Sequence, residues 1–451
     1  MASAAEQLAA NLNFGAFAKA EELKKRIWFT LAALLVYRLG TFIPIPGINP
    51  VAFAANFNTS GGLLGMVNMF SGGAIERMAI FALNIMPYIS ASIIMQLMQS
   101  VVPSLETLKK EGEQGRKQLN QYTRYLTVAL ASFQALGIAY GLQSSTTGSA
   151  GPIVSDPGPF FIVTTVVSLV GGTMFLMWLG EQITARGVGN GTSLIIMAGI
   201  VAGLPSAVVQ TLELARQSVL SWGMVLVLTV IMLAVVAAIV FIERAQRRLL
   251  VQYPKRQMGN RMFQGDASHL PLKLNASGVI PPIFASSLLM LPGAAGGFLH
   301  GSGSGWEWLG NTIAALGHGQ PLWFATYVFL IVFFAFFYTS IVLNPQETAD
   351  NLRKYGGFLP GIRPGTKTAE YIDYVLTRIT VVGAIYLAAV CVLPELFQSY
   401  ARVSFYFGGT SLLIAVSVTM DTVAQIQSHL LAHQYEGLIK KAKLRGATRA
   451  R

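Results

Sequence analysis

Two histidines, His429 and His433, stand four residues apart, and the segment Gly361–Thr368 (GIRPGTKT) is basic and glycine-rich. The first spacing would put both imidazoles on one face of a helix. Two histidines alone supply only half of a metal site, so a solvated helix is the plainer reading. The second segment resembles a phosphate loop, but its Lys367 does not directly follow the glycine, as a P-loop lysine must. Gly187–Gly191 (GVGNG) needs nothing beyond a tight turn. No His-Glu-x-x-His and no Gly-x-Ser-x-Gly string occurs. Cys391 is the only cysteine, which excludes an internal disulfide and a cysteine-based metal site. No catalytic residue, no metal site and no cofactor is expected.

The elements that would position such groups are built of apolar residues. Of 451 residues 53% are hydrophobic and only 12% charged, with a mean hydropathy of +0.54. Soluble domains carry about 25% charged residues, and disordered chains carry more charge and less apolar surface. The apolar residues arrive in blocks of about twenty, the length of a helix that crosses a bilayer core. Ten spans follow, at about 27–43, 78–98, 122–141, 160–179, 192–209, 220–242, 278–292, 322–343, 378–397 and 405–425. The fold expected is an all-α polytopic membrane protein. Lys19, Lys24, Lys25 and Arg26 precede the first block, which runs a full span without a small-residue cleavage site, so that span is expected to be retained.

The net charge of +12 is mostly topology. Of the 32 Lys and Arg, all but Arg38, Arg77, Arg216 and Arg402 fall on the side that holds both termini and the long loops. By the positive-inside rule that side is cytoplasmic. The chain then divides into a cytoplasmic arm (1–26), a half with spans 1–5 (27–215), a half with spans 6–10 (216–425) and a cytoplasmic tail (426–451). The second half carries basic loops 243–277 and 344–377. Halves of five spans are odd, so a duplicated half would sit inverted in the membrane.

The membrane pattern breaks in three places. Ser60–Gly73 (SGGLLGMVNMFSGG) is apolar but short and bracketed by glycines, as a re-entrant piece would be. Span 2 carries Asn84, Pro87, Ser90 and Ser92, and span 7 opens with Asn275, Ser277, Gly278, Pro281 and Pro282. These are the second spans of each half, and interrupted helices at matching positions point to the working site of an inverted-repeat protein. No Asp or Glu stands in the middle of a span, although ion-coupled carriers commonly keep one there. Ile85 and Ile89 stack one turn apart on span 2, and Ile196 and Ile200 on span 5. Such pairs are ordinarily lipid-facing or core residues.

Longer strings carry a resemblance. PIPGIN (44–49), MFSGGAIERMAIFALNIMPYISASII (69–94), HLPLKLNASGVIPPIFASS (269–287), NPQETADNLRKYGGFLPGIRPG (344–365) and FYFGGTSLLI (405–414) closely resemble the SecY family of bacterial protein-conducting channels, from arm to tail. The resemblance implies two inverted five-helix halves around an hourglass pore, hinged between spans 5 and 6. It implies a hydrophobic pore ring of Ile85, Ile89, Ile196, Ile200, Ile283 and Ile414, with Ile280 close by. A narrow apolar ring dewets and blocks ions while flexible side chains seal around a passing chain.

The same resemblance implies a plug at about 60–77, including Leu63, Leu64, Met66, Val67, Met69 and Phe70. It implies a lateral gate of spans 2, 3, 7 and 8, with Pro87, Ser90, Ser92, Gln134, Pro281, Ser286 and Ser287. Lys255, Arg256, Arg261 and Arg363 match the loops that bind the ribosome with its nascent chain and the SecA motor. Arginine suits both ribosomal phosphate and the acidic surface of a motor. SecE and SecG subunits, signal sequences and membrane lipids complete the implied partners, in the cell inner membrane. Asn260 and Asn84 stand where relatives often have a basic residue and a glycine. The function so implied is a passive conduit that moves unfolded polypeptides across the membrane, or sideways into it, driven by SecA or a ribosome. The competing class is a five-plus-five secondary transporter for a small solute, which shares the span count and the broken helices.

Overall fold

A chain in lipid has no water to satisfy its peptide groups, so each apolar stretch must close its own hydrogen bonds as helix. In the computed structural model every one of the ten expected spans contains a helix. The structure describes residues 21–57, 68, 71–144, 152–217, 221–253, 256–258, 261–263, 267–299, 320–401 and 409–448. Its helices are α1 (Glu21–Gly40), α2 (Pro50–Phe57), α3 (Met86–Val101), α4 (Pro103–Lys110), α5 (Glu113–Ser144), α6 (Pro159–Arg186), α7 (Gly191–Arg216) and α8 (Trp222–Arg244). After β1 (Gln246–Gln252), β2 (Arg256–Met258), β3 (Arg261–Phe263) and β4 (Ala267–Lys273) come α9 (Ile280–Leu299), α10 (Pro321–Val342), α11 (Pro345–Lys354), α12 (Thr366–Ala401) and α13 (Gly409–Thr448).

Among the described residues seven helices are long and apolar enough to cross a membrane alone, or eight if α3 and α4 count as one bent span. Those two meet at 97°, where Pro103 starts α4 and disfavours helical backbone just before it. Span 2 is helical only from Met86. Before it the chain turns through Gly72, Gly73, Met78 and Asn84, all at positive φ, and such residues cannot continue a right-handed helix. Helix α13 continues from span 10 through the expected tail as far as Thr448. The loop 243–277 holds two antiparallel hairpins, β1 with β4 and β2 with β3, which the apolar pattern did not announce.

The chain packs as two units: Met1–Tyr88, Val128–Leu204 and Val418–Arg451 form one; Ile89–Thr127 and Pro205–Ser417 form the other. In the first, Tyr37, Phe81 and Phe175 stack, with ring centroids 6.3 and 5.8 Å apart. Phe81 takes the space a side chain at Gly40 would fill, and Gly172 admits the Ile80 carbonyl, so α1 and α6 close around that ring. The PIPGIN segment is tied in by backbone bonds: Ile45 N donates to Met78 O and Asn49 N to Ile153 O, each at 2.9 Å. Asn49 then caps α2 through Oδ1, which accepts from Val51 N and Ala52 N.

In the second unit α10 packs on both α9 and α12. Gly409 admits the Val390 carbonyl, bringing α13 against α12. Below them Leu249, Val251, Leu272, Leu359, Ile372 and Leu376 form a separate core joining the β1–β4 hairpin to the start of α12.

Candidate functional site

Within the second unit the two broken spans meet. Ile93 of α3, Phe284 of α9 and Phe334 of α10 form a buried cluster, with Ile89, Leu97, Ile280, Leu330 and Tyr338 packed around it. Phe284 stands edge-on to Phe334 at 5.6 Å and to Tyr338 at 6.4 Å. The cluster brings together Ile89 and Ile280 of the expected ring. Of the others, Ile85, Ile196 and Ile200 are buried in the first unit, and Ile414 is fully buried in the second. The Ile283 carbonyl, also in the second unit, accepts from Ser286 Oγ at 2.9 Å. Apart from the Tyr338 phenol this is an apolar seam, without a carboxylate or a basic group, suited to sealing and parting rather than to holding a solute.

The expected gate residues divide similarly. Pro87 is buried at the start of α3, where a proline costs no hydrogen bond. Ser90 and Pro281 are buried, Ser92 half-buried, and Gln134 half-buried on α5 in the first unit. Ser287 is 4% exposed, and its hydroxyl has no hydrogen-bond partner among the described residues. Such a group costs about 1–3 kcal/mol, so α9 holds one polar atom that this packing does not satisfy.

The expected plug residues Leu63, Leu64, Met66, Val67, Met69 and Phe70 lie outside the described residues. The segment that follows them is fastened to the first unit. Asn68 Nδ2 donates to Glu76 Oε2 at 3.3 Å, and its Oδ1 accepts from Glu76 N at 3.0 Å. Tyr37 and Arg38 at the end of α1 donate to the carbonyls of Ser71 and Gly72, at 3.3 and 2.6 Å. Gly72 lies against Gly199 of α7, where a Cβ would come 3.1 Å from the neighbouring backbone. The guanidinium groups of Arg38 and Arg77 both lie over the Phe42 ring, at 4.9 and 4.2 Å from its centroid. Sequence reasoning noted both arginines only as exceptions to the charge rule; nothing in their spacing shows that one phenyl ring serves both.

A further polar group escaped the sequence reading, which noted Asn275, Ser277 and Gly278 only as a break in span 7. Asn275 Nδ2 donates to Glu243 Oε1 at 2.6 Å and to Gly278 O at 3.1 Å, and Asn275 Oδ1 accepts from Ser277 Oγ at 3.1 Å. Glu243 stands in the last turn of α8 and Gly278, at φ +63°, turns the chain into α9, so this amide fixes where α9 begins.

The two basic loops form one platform. Gln252 and Phe358 exchange backbone hydrogen bonds of 2.9 Å, so loop 344–377 adds to the β1–β4 hairpin as an extra strand would. Of the four expected binding residues, Lys255 lies outside the described residues. Arg256 pairs in register with Phe263 and Arg261 with Met258 across the second hairpin. Arg363 is exposed between Gly361 and Gly365, both at positive φ, and its carbonyl accepts from Thr368 Oγ1 at 2.9 Å. The basic, glycine-rich string is thus a shaped turn at the head of α12, not a phosphate loop.

Comparisons with known proteins place the chain in a family and its fold among solved channels. The SecY family model matches residues 79–423. The protein translocase subunit SecY of Rickettsia felis is 56% identical over 426 residues, covering 94% of this chain and 97% of that one. That of Escherichia coli K12 is 54% identical over 426 residues, covering 94% and 96%. A solved protein-conducting channel superposes with a TM-score of 0.64 at 17% identity, covering 90% of this chain and 92% of that one. Sec61 from a canine ribosome–channel complex gives 0.61 at 18% identity, covering 90% and 92%.

Proposed function

The chain belongs to the SecY family and is a protein translocase subunit of the protein-conducting-channel type; we propose how its residues divide that work. Ile85, Ile89, Ile196, Ile200, Ile280, Ile283 and Ile414 line the constriction through which an unfolded polypeptide passes. An apolar ring excludes water and ions at rest and yields to a chain without offering it a binding site. The segment at about 60–77 closes that constriction from the outer side, fastened at its end by the Asn68–Glu76 pair and by Tyr37 and Arg38. Helices α3 and α9 part along the seam around Ile93, Phe284 and Phe334 to release apolar segments into lipid.

The observation that carries this reading is that seam. It joins the interrupted second spans of the two five-span halves, is wholly apolar apart from one phenol, and holds two of the ring residues. A solute carrier would need polar or ionisable groups at that depth.

The cytoplasmic platform, with Arg256, Arg261 and Arg363, receives a motor of the SecA type or a ribosome by charge. The sequence carries no P-loop string, and the energy comes from that partner. SecE and SecG complete the complex in the inner membrane, with both termini cytoplasmic. The basic loops support this orientation by the positive-inside rule.

Site-specific photocrosslinking tests the reading. A stalled secretory chain should crosslink from its mature part to probes at Ile85 and Ile283 but not to one at Phe241, which is 75% exposed on α8. Absence of crosslinks at both isoleucines, in membranes that still secrete, would remove the pore assignment.

A further inference from the structure

Helices α10 and α12 enclose a groove of about 550 Å³ that the channel reading does not use. Along α10 its wall is a ladder: Phe329, Phe333 and Phe337 stack one turn apart, with centroids 6.4 and 6.1 Å apart and planes within 21° and 11° of parallel. Phe329 and Phe333 are 66% and 48% exposed, so the ladder faces outward into lipid. At its other end the groove turns polar, with Ser340 from α10 and Asp373 and Thr377 from α12. From Phe329 to Ser340 the helix rises about 16 Å, at about 1.5 Å per residue. That is the depth of one leaflet of a hydrocarbon core about 30 Å thick. The groove is therefore one lipid long, apolar at the bilayer core and polar at the surface.

The polar end has a sign. Asp373 makes no ion pair among the described residues, while the nearby cations of α12 are engaged. Lys367 Nζ binds Glu370 Oε2 at 2.8 Å, and the Arg378 guanidinium lies over the Tyr374 ring at 4.3 Å. A carboxylate left facing the head of a lipid-sized groove selects a cationic head.

We propose that the groove between α10 and α12 binds one aminophospholipid, its ammonium on Asp373 and an acyl chain along the phenylalanine ladder. This rests on the membrane placement of the two helices and not on what the channel conducts. It has a consequence for the gate, because α10 has two working faces. Phe333 of the ladder stands edge-on to Phe334 at 5.3 Å, and Phe334 belongs to the seam with Ile93 and Phe284. An acyl chain on the ladder restricts Phe333 and, through that contact, stiffens the seam.

The test uses the full chain with its accessory subunits, in nanodiscs of equal phosphatidylethanolamine and phosphatidylglycerol. Lipids retained after mild detergent extraction are read by native mass spectrometry. The wild type should retain phosphatidylethanolamine in excess. Asp373→Asn should cut that excess roughly five-fold, the scale of one exposed charge pair, and Asp373→Lys should turn it toward phosphatidylglycerol. Asp373 is exposed, so both variants should fold, which a thermal melt verifies. A photoreactive probe at Phe336, a groove residue outside the ladder, should capture lipid. Unchanged ratios in both variants would overturn the proposal, as would capture of a protein subunit at Phe336. Protein translocation measured on the same samples separates failure of this site from failure of the channel assignment.

Discussion

Asn84 shows how a single backbone angle can carry functional geometry. Its φ of +49° turns the chain from the irregular segment into α3, directly before Ile85, and a residue with a Cβ is strained there. Asn84→Gly and Asn84→Ala both delete the amide, and only the alanine keeps a Cβ at this angle, a strain that outweighs the larger folding entropy lost by glycine. The alanine variant should therefore be about 1 kcal/mol less stable than the glycine variant, read by thermal unfolding in detergent. Equal melting temperatures would mean the turn relaxes. Asn275 makes a second residue-scale case. Asn275→Asp would set a carboxylate against Glu243, where an amide now donates at 2.6 Å, and would loosen the start of α9. Export of proteins with defective signals should rise in that variant. It should return to normal in the double variant with Glu243→Gln, whose amide can donate back. Rescue by the double variant distinguishes this pair from general damage to the helix.

Among elements, the joint between the two cytoplasmic loops is the most exposed to test. The Phe358 amide donates to Gln252 O, so Phe358→Pro removes one of the two bonds that tie loop 344–377 to the hairpin. The loop should become more sensitive to protease, and motor-driven translocation should fall several-fold while the chain still inserts and assembles. Unchanged translocation would separate the platform from motor binding. This joint also marks the limit of what the sequence discloses. The spans were legible because about twenty apolar residues in lipid have essentially one solution. The Pro- and Gly-broken spans were legible because they violate that solution. The hairpins were not, since strands such as Gln246–Gln252 (QRRLLVQ) mix charge with a short apolar alternation inside a basic loop. Residues 78–84 read as the start of span 2 because they are apolar; the left-handed Met78 and Asn84 belong to backbone angles that apolarity does not report. The lateral seam could be expected only from the family resemblance, and the Arg38–Arg77–Phe42 stack not at all, because each joins residues through contacts in space.

At the scale of the whole molecule, the way its helices are shared constrains how it moves. Four helices pass between the packing units: α3 between Tyr88 and Ile89, α5 between Thr127 and Val128, α7 between Leu204 and Pro205, and α13 between Ser417 and Val418. In α7 the crossing falls at a proline, which lacks the amide for the next helical bond. A channel built this way opens more readily by parting side-chain contacts than by breaking helices, because an apolar contact can slide while a backbone hydrogen bond in lipid has no substitute. The seam of Ile89, Ile93, Ile280 and Phe284 offers such a surface. Holding it shut should therefore block lateral release and leave the fold intact. With the buried Cys391 replaced by alanine, Ile89→Cys and Ile280→Cys supply a pair of thiols on either side of the seam. Oxidation should abolish insertion of a hydrophobic anchor into lipid, and reduction should restore it. Crosslinked protein that still releases the anchor would show that the moving edge lies elsewhere than between α3 and α9.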